Sequence, residues 1–331
     1  RIFDFHSNNK IIYFLSLSFL SALMETLSIV TLLPLLNVIG FGDKMASENS
    51  ALLGFFTKLF ALCNIPYNMT SVLIVLVVII LIKNVIMFFA ILCKSWMRTT
   101  MSAKLKRDFC HSLSSVTLQF FNQNSTGYFS SIITLQIDRF VKAFMQFISI
   151  LAAVISIAAY SAVAVMLDWK IASCAVIFGL LVIVLYRHLN NYVAGQSVLY
   201  SDQTNQLMSL VVQSIQSFKY AVSTQNMQRL EAASFSAINQ LENISFKMAA
   251  VNAVTKCLKE PVIMAGLVTL IITLVTVFEQ PIVPVLVSLL LFQRALNSLL
   301  GAQLNWQAFV GSVGAIDLVN AEFEQLEKNR E

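Results

Sequence analysis

The chain has 331 residues, of which 57% are hydrophobic and 12% are charged, and its mean hydropathy is +0.76. A soluble domain has about a quarter charged residues and just under half apolar residues. This composition excludes a soluble fold of this length, and it excludes disorder, because disordered chains are poor in apolar residues. The net charge of +5 is not gathered in one basic stretch, so no nucleic-acid partner is indicated. The sequence predicts a membrane protein.

Long apolar blocks predict helical membrane spans rather than the strands of a barrel. Examples are Val72–Ile82, Ile148–Leu167 and Val262–Phe278. A helix needs about 20 apolar residues to cross the hydrocarbon core, whereas barrel strands alternate apolar and polar residues. We predict an all-α membrane protein with six spans, at about 11–39, 70–93, 140–166, 170–190, 257–278 and 282–304.

The basic residues predict the orientation of these spans. The loops after spans one, three and five hold only Lys44, Lys58 and Lys170, whereas the opposite side receives most of the other Lys and Arg residues. Because cytoplasmic loops carry an excess of Lys and Arg, both termini are predicted to be cytoplasmic. The cysteines form no paired motif and the histidines have no partner at metal-ligand spacing, so neither a disulfide framework nor a metal site is predicted.

Two long stretches between spans are polar enough to leave the membrane, yet they read as helical. Lys94–Arg139 and Asn191–Lys256 contain no Pro, and in the second stretch apolar residues recur at helical spacing. We therefore predict membrane helices that extend well into the cytoplasm. A short break is expected near the far end of each stretch, at Asn122–Gly127 and at Ser217–Asn226.

The loop after the first span contains an apolar segment, residues 51–62, that is too short to cross a bilayer. It predicts either an interfacial helix on the outer face or a cap over the bundle. Pro34 predicts a kink near the outer end of the first helix, because proline removes one backbone hydrogen bond. The charged end of the chain, Glu322–Glu331, is predicted to be a helix that passes into a linker.

Ionisable residues at membrane depth are the candidate functional residues, because a charge in hydrocarbon is costly. Glu25, near the middle of the first span, is either a proton or substrate contact or a structural hydrogen-bond anchor between helices. Lys83 and Arg294 lie in the second halves of spans two and six. They either contact an anionic substrate, since Arg presents a planar fork and Lys a point charge, or extend to the cytoplasmic interface. The sequence has no phosphate loop, dinucleotide fingerprint or hydrolase motif, so no catalytic residue is assigned.

Three segments resemble the transmembrane domain of ABC exporters. Phe120–Gly127, followed by Asp138, resembles that family's first coupling-helix region, in which a Phe pair precedes Thr-Gly and then an Asp. Gln216–Lys219 resembles the second coupling region, and Gly311–Asp317 resembles the segment that leads out of span six. The resemblance covers residues 1–331 and implies two coupling helices. The residues that it assigns to coupling are Phe121, Asn122, Gly127, Phe218, Lys219 and Tyr220.

The first helix sharpens the resemblance. Met24–Pro34 and the segment 51–62 are similar to the lipid-linked oligosaccharide flippases, which carry Glu-Thr and Pro in the first helix and a short outer helix after it. This implies that an amphiphilic substrate, such as a lipid-linked oligosaccharide, is moved outward across the bacterial inner membrane by alternating access. Exporters of peptides or lipids share the scaffold and are the alternatives.

The resemblance also implies partners. Such proteins work in membrane lipid as dimers of identical or related halves, and ATP with Mg binds nucleotide-binding domains whose closure the coupling helices transmit. We expect that domain to follow residue 331 in the same protein, with a separate subunit as the alternative, and we expect this chain to bind no cofactor. Two other classes stay open: a secondary transporter that couples ions through Glu25 and Lys83, and a membrane scaffold whose cytoplasmic helices bind partners.

Overall fold

The regular structure of the described chain is helical. A computed structural model describes residues 6–32, 35, 68–167, 169–223, 227–276 and 282–330. The helices are α1 (His6–Val30), α2 (Met69–Ser114), α3 (Leu118–Gln123), α4 (Thr126–Ser131), a π-helical segment (Ile132–Gln136), α5 (Ile137–Leu167), α6 (Trp169–Gln216), α7 (Phe218–Ser223), α8 (Met227–Thr276), α9 (Ile282–Val310) and α10 (Val313–Lys328).

Four helical segments of the described chain are long and apolar enough to cross a membrane. They are Lys10–Val30, Met69–Ser114, Thr126–Met166 and Val176–Gln216, and they correspond to predicted spans one to four. The third segment runs through α4, the π-helical segment and α5. Within the described residues, the same criterion of length and composition does not select α8 or α9, which carry predicted spans five and six. The count of six spans therefore stays a prediction.

Three of the described helices are far longer than a bilayer crossing requires. α2, α6 and α8 have 46, 48 and 50 residues, against about 20 for a span. Each combines an apolar part with a polar part, as the sequence predicted for helices that continue beyond the membrane. Pro261 lies inside α8 without ending it.

The chain forms two compact units. Unit 1 consists of Arg1–Lys94, Ile150–Val184 and Leu258–Gln303, and unit 2 of Ser95–Ser149, Leu185–Cys257 and Leu304–Glu331. The helices α2, α5, α6, α8 and α9 contribute residues to both units.

The core of unit 1 is built from aliphatic side chains of α1, α2 and α9. Val30, Val72, Val287 and Leu291 are buried together, and Val163 of α5 packs against them. Because lipid tails are as apolar as these side chains, van der Waals packing between the helices, and not transfer from water, favours this core. This core holds together the helices that carry the candidate site residues Glu25, Lys83 and Arg294.

The core of unit 2 depends on close helix packing at two glycines. A Cβ atom on Gly127 of α4 would lie 2.7 Å from the backbone oxygen of Met208 in α6. A Cβ atom on Gly314 of α10 would lie 2.6 Å from the backbone oxygen of Ser197, also in α6. Because glycine has no Cβ, both helices can approach the backbone of α6 this closely.

The helix breaks agree only in part with the predicted positions. α3 ends at Gln123 and α4 begins at Thr126, inside the range in which the first break was predicted, and the Ser125 side chain caps α4 by accepting a hydrogen bond from the Tyr128 N–H. An additional break at residues 115–117 separates α2 from α3 and was not predicted. There the Thr117 N–H donates to the Asn329 carbonyl at 3.1 Å, so the end of the chain stabilises this break.

The end of the chain is more ordered than its charge predicted. α10 continues to Lys328, and Glu322 and Leu326 are each only 1% exposed. The helix predicted at the start of Glu322–Glu331 is therefore present to Lys328, and its apolar face and the partner of Glu322 draw it into unit 2. The predicted helix at 51–62 and the kink at Pro34 lie outside the described residues.

Candidate functional site

Glu25 is the centre of a polar cluster inside unit 1. The Lys83 Nζ atom lies 3.0 Å from Glu25 Oε2, and the Arg294 Nη1 atom lies 3.1 Å from Glu25 Oε1. The hydroxyl of Tyr160 donates a hydrogen bond of 3.0 Å to Glu25 Oε2. The structure thus brings together the three residues predicted for the substrate pathway, and it adds a fourth.

Four different helices supply the members of this cluster, which are Glu25 of α1, Lys83 of α2, Tyr160 of α5 and Arg294 of α9. The first three lie in helices that are long and apolar enough to cross a membrane. The next residue of α1, Thr26, keeps its hydroxyl on the Ala22 carbonyl at 2.7 Å, so it does not compete for the cluster. The apolar packing of α1, α2 and α9 therefore determines where the charges meet.

The cluster carries one negative and two positive formal charges. The Glu25 and Lys83 side chains are 14% and 19% exposed, whereas that of Arg294 is 54% exposed. Bonds between ionised groups are strengthened when water is largely excluded. The arrangement can anchor helices to one another through Glu25, and it can also present a cationic guanidinium face to an anion. The geometry fits a structural anchor at Glu25 and an anion contact at Arg294, and both roles stay predictions.

Tyr160 is the member that sequence reasoning missed. It lies within the apolar block Ile148–Leu167 and is 5% exposed. A buried tyrosine hydroxyl normally has a hydrogen-bond partner, so a lone Tyr in an apolar span is a usable signal for a polar contact at that depth. Its partner lies 135 residues away in sequence and could not be read from local spacing.

The predicted first coupling region is a tight corner of unit 2. The ring of Phe121 stacks on that of Phe129, with centroids 5.5 Å apart. Gly127 is buried against α6, and Asn122 is exposed at the end of α3. Aromatic packing and the glycine contact thus hold this corner in place, while Asn122 stays accessible.

The predicted second coupling region is the short helix α7. Phe218 and Tyr220 are 54% and 72% exposed, and the side chain of Lys219 lies outside what the structure describes. Immediately before α7, the Gln216 side chain donates a 3.0 Å hydrogen bond to Thr126 Oγ1 at the start of α4. The structure therefore joins the end of α6 to the first coupling region, which no sequence motif indicated.

Arg139 forms a second polar centre, in unit 2. Its guanidinium donates to Ser201 Oγ at 2.7 Å and to the Gly311 carbonyl at 3.2 Å, and it lies 4.6 Å from the Tyr200 ring centroid. Gly311 and Ser312 separate α9 from α10. Arg139 thus fixes that helix break to α6, a role that its sequence position did not reveal.

The comparison with protein families agrees with this architecture. The chain matches the model of the ABC transporter transmembrane region over residues 11–300, and it belongs to that family. It is a multi-pass membrane protein and forms the membrane part of an ABC transporter of the exporter kind. Such a domain pairs with a nucleotide-binding domain and dimerises, which argues against the secondary transporter considered above. No curated protein matches the sequence significantly.

Proposed function

We propose that the chain is the membrane half of an ATP-driven flippase that moves an amphiphile with an anionic head group, such as a lipid-linked oligosaccharide, outward by alternating access. The observation that supports this proposal is the cluster of Glu25, Lys83 and Arg294, which lies in the unit that also holds the aliphatic core of Val30, Val72, Val287 and Leu291. An amphiphile needs an apolar path for its lipid and a polar contact for its head group. Unit 1 offers both.

Arg294 is the proposed first contact for the head group. Its side chain is more than half exposed although one Nη atom is paired with Glu25. Guanidinium has five N–H donors in a fixed fork that matches phosphate, so Arg294 has donors left for a first contact with a second anion. Lys83 lies behind it on the same carboxylate and adds a second positive charge.

The proposal is tested by ATP hydrolysis of the full-length protein in lipid nanodiscs. A polyprenyl pyrophosphate is titrated, with the uncharged polyprenol as its control. A charge-assisted hydrogen bond contributes about 1.5–3 kcal/mol, so Arg294→Ala should raise the concentration for half-maximal stimulation roughly tenfold or more. Arg187→Ala, which removes an exposed arginine outside the cluster, is the matched control.

Each other outcome points to a different function. Equal stimulation of Arg294→Ala and the unaltered protein would contradict the proposed contact. Stimulation by peptides or neutral lipids alone would favour an exporter of those substrates. Purification without any ATPase activity would favour a partner-binding membrane scaffold.

The proposed partners follow from the exporter function. A nucleotide-binding domain that follows residue 331, with its ATP and Mg, would dock on α7 and on the corner at Phe121, Asn122 and Gly127. The transporter would be a homodimer in the bacterial inner membrane with both termini cytoplasmic. Cys110 has an exposed, unbonded thiol in unit 2 and provides the test of orientation. In a variant whose other cysteines are replaced, a membrane-impermeant maleimide should label it from the cytoplasmic side only.

A further inference from the structure

The Glu25 cluster contains an anion of its own, placed where both cations meet. Glu25 uses one carboxylate oxygen for Arg294 and the other for Lys83, at 3.1 and 3.0 Å. In the described part of the chain, these are the only polar contacts seen for Lys83 and Arg294. A single side chain therefore neutralises one of two positive charges, and it does so at the atoms that an incoming anion would use.

Both cations keep unused bonding capacity in this arrangement. An ammonium group has three donors and a guanidinium group has five, and each spends only part of this capacity on Glu25. The exposed fractions differ, since the Arg294 side chain is 54% exposed and that of Lys83 only 19%. Arg294 is therefore the more accessible cation for an anion, and it shares with Lys83 the carboxylate that the anion would have to replace.

Tyr160 gives Glu25 a partner that does not depend on the cations. The Tyr160 hydroxyl donates to Oε2 at 3.0 Å, and the residue is 5% exposed. A buried carboxylate without any donor would be costly. With Tyr160 in place, Glu25 can release Lys83 and Arg294 and still keep one hydrogen bond.

We propose that Glu25 is a built-in counter-anion that pairs with Lys83 and Arg294 while the site is empty and yields both to the anionic head group of the substrate. The proposal rests on the proposed function, since it requires that the two cations contact the substrate. It predicts that the head group and Glu25 compete for the two cations. Head groups with two or more negative charges displace Glu25, whereas neutral head groups leave the ion pairs intact. The same carboxylate then helps to release the substrate by recapturing the cations.

The test measures binding and turnover separately, on the full-length protein in nanodiscs. The probes are a polyprenyl pyrophosphate and the corresponding polyprenol. Glu25→Gln retains side-chain size and a hydrogen-bond acceptor for Tyr160 but cannot neutralise either cation. We expect it to bind the pyrophosphate lipid about tenfold more tightly, with no change for the polyprenol, and to show slower maximal stimulated ATP hydrolysis because release is impaired.

Two further variants separate this role from a structural one. Tyr160→Phe loosens the cluster without changing its charge, so it should not tighten binding. Glu25→Asp keeps the charge but is one methylene shorter and cannot reach both cations, so its affinity should lie between those of the unaltered protein and Glu25→Gln. Weaker or unchanged pyrophosphate binding in Glu25→Gln would overturn the proposal, as would equal tightening in Tyr160→Phe.

Lys83→Gln and Arg294→Gln distinguish the failure of this inference from the failure of the proposed function. If both variants weaken pyrophosphate binding while Glu25→Gln does not tighten it, the cations contact the substrate and Glu25 is only an anchor. If neither variant weakens binding, the proposed head-group site itself is wrong.

Discussion

The Tyr128 hydroxyl donates a hydrogen bond of 2.8 Å to Oε2 of Glu322, a carboxylate that is 1% exposed in unit 2. The other oxygen, Oε1, has no hydrogen-bond partner among the described residues. The two residues are 194 positions apart, and they connect α4 to α10. This contact links the first proposed coupling corner to the last helix before the end of the chain.

The Glu322 contact predicts a pH-dependent stability. Burial raises the pKa of Glu322 above its ordinary value of 4.5, and the hydrogen bond from Tyr128 opposes this only in part. Since the folded protein holds this proton more tightly than the unfolded chain, Glu322 destabilises the fold as pH rises from about 4.5 through the raised pKa. Glu322→Gln should not lose stability in this pH range, because the amide does not ionise. The unfolding temperatures of the two proteins are compared between about pH 4.5 and 8, and the advantage of Glu322→Gln should grow as pH rises. An advantage that shrinks at high pH would contradict the prediction.

Tyr128→Phe tests the other side of the same contact. It leaves a buried carboxylate without its hydroxyl donor, which should lower the free energy of unfolding by about 1–3 kcal/mol. The loss should be largest at high pH, where Glu322 is ionised. In the Glu322→Gln background, Tyr128→Phe should cost much less, and equal costs in both backgrounds would show that the two residues are not coupled.

Two glycines of unit 2 should respond in opposite directions to alanine. At Gly127 a Cβ would lie 2.7 Å from backbone atoms of Met208 and Ser209, which cannot move aside easily, so Gly127→Ala should destabilise the protein by about 1–3 kcal/mol. At Gly195, inside α6, a Cβ would meet nothing within 4 Å. Gly195→Ala should therefore stabilise by about 0.5–1 kcal/mol, because glycine is unfavourable inside a helix. Denaturation of both variants and the unaltered protein in the same detergent measures the changes in the free energy of unfolding. Equal changes in the two variants would contradict the packing argument.

The neighbours Asp138 and Arg139 should differ strongly in importance. Asp138 pairs with Lys106 at 2.9 Å, but its side chain is 49% exposed, so Asp138→Asn should cost less than about 1 kcal/mol. Arg139 bridges Ser201 and the Gly311 carbonyl with separate nitrogens. Lysine has no such fork, so Arg139→Lys should lose about 1.5–3 kcal/mol. The same unfolding assay serves both variants, and a larger cost for Asp138→Asn would show that the Arg139 contacts are incidental.

The exposed aromatics of α7 should matter for coupling and not for folding. Phe218 and Tyr220 are 54% and 72% exposed, so replacing both by Ala should hardly change the unfolding temperature. If α7 docks on the nucleotide-binding domain, stimulated ATP hydrolysis and transport should fall at least tenfold. Phe246→Ala, at an aromatic 71% exposed on α8, is the control. Full transport in the double variant would exclude α7 as a coupling element.

The sequence predicted features that depend on composition and local spacing. The helical class, the long extensions of α2, α6 and α8, and the break between α3 and α4 all arise from apolar periodicity and from the polar run Asn122–Gly127. Charges at membrane depth also identified Glu25, Lys83 and Arg294 before any contact was known. The sequence did not show that these three side chains contact one another, and the structure places them in one cluster of unit 1.

Features that depend on distant pairs were not predictable. Tyr160 and Glu25 are 135 residues apart. Glu322 lies in a charged segment that is typical of a solvated chain end, and only its contact with Tyr128 shows that it is buried. The break at residues 115–117 is stabilised by Asn329, more than 200 residues later in the chain, and therefore had no local signal. In each case the tertiary partner, and not the local sequence, determines the structure.

The π-helical segment Ile132–Gln136 also sets the rotational phase of α5, the helix that continues directly from it. A π turn holds one residue more than an α turn, and one residue corresponds to about 100° of rotation around a helix axis. Downstream of this extra residue, Arg139 faces Ser201 and Gly311, and Asp138 faces Lys106. A chain shortened by one residue here would rotate α4 and α5 relative to each other by about 100°, so Gly127 could no longer lie against α6 while Arg139 contacts Ser201. The extra residue thus keeps the glycine contact of α4 and the polar centre at Arg139 in register.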